Sequence, residues 1–395
     1  MLDLKFIREN SEAVEKTLQD RNVRLDIQQL LGLDGERRAC LSELEKLRAD
    51  KRKASDEIGR LKRRKQSIDQ KVVALQDVSQ KEEALEKKLA DYNGQVKNFL
   101  LLVPNVLHPS VPIGPNAQSN QEVRSWGKPK PLDFKPRTHL ELVEKLKLVD
   151  LPRGAKISGS HFLLFTGAGA RLERALINFM LDIQTKEHGY REVSPPYLVN
   201  RSSMTATGQL PKLEADMYAL KDDDLFLIPT AEVPVTNIHA GETLTEEELP
   251  LCYTAYSACF RREAGSYGKD TKGMIRVHQF DKVEMVKLVK AADSYDELEK
   301  LVGNAETILQ RLELPYRVMA LASGDLSFAA SKCYDLEAWS PGGGNWLEVS
   351  SCSNFEDFQA RRANIRYRAK GAKRLEFVHT LNGSGVALAR TFIAI

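Results

Sequence analysis

Cysteine, long apolar runs and glycine-rich phosphate loops are what this chain of 395 residues has least of, and each shortage removes a class of function. The five cysteines, at 40, 252, 259, 333 and 352, form no CxxC pair and no zinc-site spacing; no zinc is expected, and the thiols read as reduced and mainly structural. No apolar run approaches the roughly 20 residues that span a bilayer. The opening MetLeuAspLeuLysPheIleArg lacks the apolar stretch of a secretory signal, so a cytoplasmic location without a membrane partner is expected. Neither GxGxxG nor GxxxxGK(S/T) occurs, and the glycines 342 to 344 read as a turn, so a bound nucleotide would have to be held by side-chain charge. Proline is absent before Pro104, and glycine is scarce there. A net charge of +3 is too mild to draw in a polyanion, so any such attraction depends on how charge is distributed.

What is present starts with two helical stripes. The chain is 42% hydrophobic, enough for a sizeable core, and its length suits two domains. Leu75, Val78, Leu85, Leu89, Tyr92, Val96, Phe99 and Val103 recur at alternating steps of three and four, broken by Glu82, which is the pattern of a coiled-coil seam. An earlier stripe of Leu41, Leu44, Leu47, Ala54, Ile58 and Leu61 has similar spacing. Two helices therefore fold back around the polar stretch from Ser67 to Gln70 as an antiparallel hairpin. Thirty residues at about 1.5 Å each project on the order of 45 Å, too far for a cap that covers a core. Between Lys46 and Lys65, ten lysines and arginines stand against Asp50, Asp56 and Glu57. Such a strip attracts phosphate without reading bases and suits shape recognition of a folded RNA; a solvated coiled-coil face is the plain alternative.

From Val103 to Pro115 the prolines predict an extended linker. Beyond it, helices mix with strands across long connections, without regular βαβ alternation. An α+β fold follows, an antiparallel sheet backed by helices. Within it, CysPheArgArgGluAla from Cys259 and the segment Gly273 to Glu284 read as neighbouring strands. Alternation then puts Arg261 and Glu263 on one face, Arg262 on the other, and Arg276 with Glu284 on a shared face. Charges of this kind are costly to bury unless paired or liganded, so a pocket with cationic and anionic ends is expected.

These segments resemble motif 2 of the class II aminoacyl-tRNA synthetases. With ProThrAlaGluVal from Pro229, TrpLeuGluValSerSerCysSerAsnPheGluAspPheGlnAlaArgArg from Trp346 and ThrLeuAsnGlySerGlyValAlaLeuAlaArgThr from Thr380, nearly the whole chain is similar to the seryl-tRNA synthetase family. The resemblance implies a tRNA-binding helical arm over 1–103, a linker over 104–118 and a class II catalytic domain over 119–395. It implies a ligase that uses ATP and Mg2+ to form seryl-adenylate from L-serine and passes the seryl group to tRNA(Ser), and to tRNA(Sec) where present. Arg261 would hold the α-phosphate and Glu263 would lie near the adenine, with Arg262, Arg276, Val277, Val349 and Ser350 also at the nucleotide. Glu348 and Ser351 would bind ATP and its magnesium, which requires a bulge or strand end between them. Arg390 would face the γ-phosphate, GlySerGly before its helix allowing close backbone approach. Catalysis would rest on Arg261, Arg390 and Glu348.

For serine, the resemblance implies Thr230, Ala231 and Glu232 as a closing loop, with Thr230 and Glu232 on one strand face. Glu284 would receive the ammonium and Ser384 would sense the hydroxyl; read alone, Ser384 is equally a helix N-cap. His278 reads either as a general base or as a structural hydrogen-bonding group. Arg48, Arg52, Arg60, Arg63 and Arg64 on the arm would grip the long variable arm of the tRNA. Arg171 to His188, Gly189 and the Pro195–Pro196 turn resemble motif 1, implying a homodimer. Three features depart from the family: Arg262 stands where serine is common, Lys269 and Lys272 replace arginines, and the chain ends at Ile395, soon after Arg390, where members normally continue. An adenylating relative that loads a carrier protein and a non-catalytic RNA-binding paralogue are the rival readings; the basic arm opposes the first and the intact charged set the second.

Overall fold

A computed structural model describes residues 1–264 and 273–395, so Lys269 and Lys272 lie outside the described residues. The chain divides into two compact units: one holds Leu2–Leu18 and Arg24–Val103, the other Met1, Gln19–Val23 and Pro104–Ile395. No described helix is long and apolar enough to cross a membrane.

In the first unit, helix α1 (Ile27–Arg63) and helix α2 (Asp69–Leu100) run antiparallel. Asp26 caps α1 by accepting from the Gln28 N–H, and Arg60, Lys62 and Arg63 fill its last turn, where cations complement the helix dipole. The two stripes meet as the spacing predicts: Leu44 and Val96 are buried, and Cys40 lies opposite Leu85. A seam leucine buried in this way contributes roughly 1.5–3 kcal/mol. Glu82, the break in the pattern, is in the seam and is satisfied there. Arg48 Nε and Lys51 Nζ reach it from α1 at 3.0 and 2.6 Å.

The second unit is built on eight strands: β1 (Gln121–Trp126), β2 (Arg191–Glu192), β3 (Leu251–Phe260), β4 (Gln279–Val289), β5 (Tyr316–Ala320), β6 (Lys332–Ser340), β7 (Asn345–Asn354) and β8 (His379–Ala387). Their order is β1-β5-β6-β7-β8-β4-β3-β2. All neighbours pair antiparallel except β2, which lies parallel to β3. Helices α3 (Gly167–Lys186) and α4 (Ser294–Arg311) cover one face. Met180 and Ile183 of α3 and Leu298, Leu301 and Ile308 of α4 pack with Val283 and Met285 of β4 in the main core. Alternation along β4 therefore turns Phe280, Lys282 and Glu284 to the other face. Gly383 of β8 is explained here: a Cβ would lie 2.8 Å from Cys352 Sγ and 3.1 Å from Leu301. The close approach is made by the core and not by a ligand, and it frees Asn382 and Ser384 to face away from α4.

The structure corrects several strand assignments. β3 ends at Phe260 and β4 starts at Gln279, so Arg261, Arg262, Glu263 and Arg276 lie in the connection, and strand alternation does not govern them. Glu263 takes a left-handed φ of 51°. Glu232 is not on a strand but opens a short helix, Glu232–Thr236. Ser384 sits within β8, while Ala387 occupies the N-cap position of helix α5 (Leu388–Ala394), so Ser384 is not a cap.

Candidate active site

A cleft of about 740 Å³ opens on the face of β4, β7 and β8 turned away from α3 and α4. Of the residues the sequence assigns to the nucleotide and to serine, Thr230, Glu232, Arg261, Glu263, Arg276, Val277, Glu348, Val349, Ser350, Ser351, Ser384 and Arg390 line it. Three do not. Glu284 lies beneath the lining and is 1% exposed; Ala231 is fully buried behind it. Arg262 is exposed and is not among the lining residues, and its backbone N–H donates to the Asp216 carbonyl at 2.9 Å.

One polar cluster forms around β4. Lys282 Nζ is 2.5 Å from Glu284 Oε2 and donates to Thr230 Oγ1 at 2.8 Å. Asn382 Nδ2 donates to Glu284 Oε1 at 2.8 Å, possible because β8 pairs with β4 here, Ser384 opposite Glu284. Gln359 Nε2 donates to Glu232 Oε1 at 2.7 Å. Burial and then the neighbouring Glu284 charge push the Glu232 carboxyl up to about 7. Lys282, Asn382 and Gln359 are functional candidates that sequence reasoning missed. Lys282 was visible as the residue two before Glu284 on the same strand face; the other two come from distant segments.

The second cluster joins β7 to α5. Arg390 Nη1 donates to the Glu348 carbonyl at 3.0 Å and lies 3.2 Å from Glu348 Oε2, while its Nε donates to the Ile275 carbonyl. Its helix is well supported, since Leu388 and Phe392 are in the core. The expected bulge exists: pairing with β6 slips between Glu348 and Ser350, so Glu348 and Ser351, three apart, share the cleft face. Across from Ser351, Asp335 of β6 is half-buried, and desolvation followed by the Glu348 charge holds its carboxyl well above the usual range. Such an acidic surplus suits a cation. Among the described residues no group of three His, Cys, Asp or Glu side chains is placed to hold a metal. Glu348 and Ser351 are the oxygen donors on this face of the cleft that would hold a magnesium ion, which would supply positive charge to bound phosphates.

Between the clusters, Arg261 donates from Nε to the Pro229 carbonyl at 3.3 Å, and its guanidinium lies over the Phe280 ring. Arg276 pairs with Glu263 at 3.2 Å. His278 Nδ1 lies 2.9 Å from the Arg261 carbonyl, with its ring on Phe162, the structural of its two readings. Burial raises the thiols of Cys259, Cys333 and Cys352, which disfavours the thiolate form. On the hairpin, Arg52, Arg60, Arg63 and Arg64 are exposed. Arg48 is committed to Glu82 and to Glu86, whose Oε1 is 2.5 Å away.

Residues 1–107 match the profile of the seryl-tRNA synthetase N-terminal domain, and residues 216–395 that of the tRNA synthetase class II core domain (G, H, P, S and T). A serine–tRNA ligase of Syntrophobacter fumaroxidans is 53% identical over 395 residues, all of this chain and 93% of the relative. The crystal structure of seryl-tRNA synthetase from Pyrococcus horikoshii complexed with ATP is similar at a TM-score of 0.94 and 40% identity, over 100% of this chain and 93% of that one. That of the cytoplasmic serine–tRNA ligase from Naegleria fowleri in complex with AMP gives 0.89 and 28%, with the same coverage.

Proposed function

Because the chain belongs to the seryl-tRNA synthetase family, we propose that it is a cytoplasmic, homodimeric serine–tRNA ligase that joins L-serine to tRNA(Ser) at the expense of ATP. The observation that carries this is the convergence on one cleft of Arg261, Arg390 and Glu232, with Glu284 buried beneath its lining. A serine carboxylate oxygen attacks the α-phosphorus of ATP, the bond to the β-phosphate oxygen breaks, and pyrophosphate leaves. The terminal ribose hydroxyl of the tRNA then attacks the seryl carbonyl and AMP leaves. No protein nucleophile is required; the chain contributes alignment and fixed charge.

Arg261 holds the α-phosphate, its fork set by Pro229 and Phe280, and Arg390 faces the γ-phosphate. Glu348 and Ser351 would hold a magnesium ion, which neutralises phosphate charge when bound. Thr230, Glu232 and Glu284 receive the serine ammonium, and Ser384 senses the hydroxyl, whose absence would strand buried polar groups. Residues 1–103 act as the tRNA-binding arm, 104–118 as linker and 119–395 as the catalytic domain, with dimerisation through α3 and the segment that follows it. Serine-dependent ATP–pyrophosphate exchange together with tRNA(Ser) charging tests this. Exchange without charging would favour a carrier-loading enzyme, and no exchange a binding protein.

A further inference from the structure

The acidic cluster is unbalanced. Glu232, Glu284 and Lys282 are each no more than 6% exposed, two carboxyls against one ammonium. Glu284 is held on both sides, by the Asn382 amide and by Lys282. Lys282 Nζ lies 2.5 Å from Oε2, which accepts no hydrogen bond. Lys282 spends a proton on Thr230 instead. Glu232 makes no ion pair among the described residues and relies on Gln359. That amide is fixed in turn: Thr380 Oγ1 donates to Gln359 Oε1 at 2.7 Å, turning the NH2 group to Glu232 and to the Thr207 carbonyl.

Two buried anions beside one cation are costly, and a carboxyl can escape the cost by keeping its proton. The groups facing Glu232 are Glu284 and Lys282 of β4, Arg261 beyond β3 and Gln359 of the helix Phe358–Ala363. Burial and Glu284 favour the protonated form, while the Gln359 bond, Lys282 and Arg261 oppose it.

We infer that Glu232 is a proton-exchanging receptor for the substrate ammonium, oriented by Gln359: it carries a proton before substrate binds, and the entering ammonium displaces that proton to solvent. The bound state then alternates two carboxylates with two ammonium groups. No covalent bond changes except the O–H of Glu232. The inference rests on the serine-ligase reading and adds that serine binding is written in protons.

The test is calorimetric titration of the full-length protein with L-serine in buffers of unequal ionisation enthalpy from pH 6 to pH 8. Release of about 0.9 proton per serine is expected at pH 6, about 0.5 at pH 7 and about 0.1 at pH 8. Gln359→Met, which removes a donor that favours ionisation, should raise release at pH 7 toward one, and Glu232→Gln should abolish it. In case that variant does not bind, the infrared difference spectrum of the unaltered protein should show a protonated-carboxyl C=O band lost on adding serine. Serine binding with buffer-independent enthalpy at pH 6–7, or proton release that persists in Glu232→Gln, would overturn the inference and leave the serine-ligase reading standing. Failure of serine to bind at all would overturn both.

Discussion

Arg261 leaves the end of β3 with its guanidinium held by the Pro229 carbonyl and the face of Phe280, so its position is fixed before any phosphate arrives. Arg261→Ala should lower serine-dependent pyrophosphate exchange by about 100-fold or more, as expected when a preorganised charge is removed, with tRNA binding measured by filter retention largely kept. Glu232 makes a prediction about stability. Its carboxyl titrates near 7 in the folded protein and near 4.3 in an unfolded chain. The unfolded state therefore loses the proton first, and stability falls as pH rises between those values. Glu232→Gln should raise the melting temperature at pH 8 and leave it little changed at pH 4, a gain on the order of 3–4 kcal/mol. Arg261, Glu263, Glu284 and Arg390 were legible in the sequence because the segments that carry them resemble the family's motifs. Asn382 and Gln359 were not, since their relation to Glu284 and Glu232 is created by strand register and by a helix packed from elsewhere. Arg261 and Glu263 share no strand face, because β3 stops at Phe260.

At the scale of elements, the hairpin was the most legible part: a heptad stripe needs only local periodicity to show itself. Its charges sort in a way that periodicity does not reveal. Arg48 is consumed by Glu82 and Glu86, whereas Arg60 and Arg64 are exposed. Arg60→Ala or Arg64→Ala should each reduce the slope of log binding constant against log salt by about one for tRNA, and Arg48→Ala by clearly less. The bulge in β7 was foreseen as a requirement of Glu348 and Ser351 sharing a site. Its location in the pairing with β6, and Asp335 opposite Ser351, needed the register.

Across the whole molecule, the sequence stated the α+β class, the helical hairpin and the class II catalytic half. The parallel attachment of β2 and the helical start at Glu232 escaped it, because short segments take their conformation from what they pack on. Replacing residues 45–84 of the arm with a short glycine–serine turn keeps the antiparallel register of α1 and α2. This should leave pyrophosphate exchange within about twofold while lowering tRNA charging by at least about tenfold, a separation that one exchange assay and one charging assay read out. Unchanged charging would remove the arm from tRNA recognition. The carboxylate of Glu82 gives that arm a further property. Sliding either helix by a heptad would leave a charge facing leucines with Arg48 and Lys51 out of reach, so slippage is penalised at one point along an otherwise repetitive interface. The hairpin is thus a ruler of set length and not a telescoping rod, and whatever it measures on its partner it measures from a fixed zero.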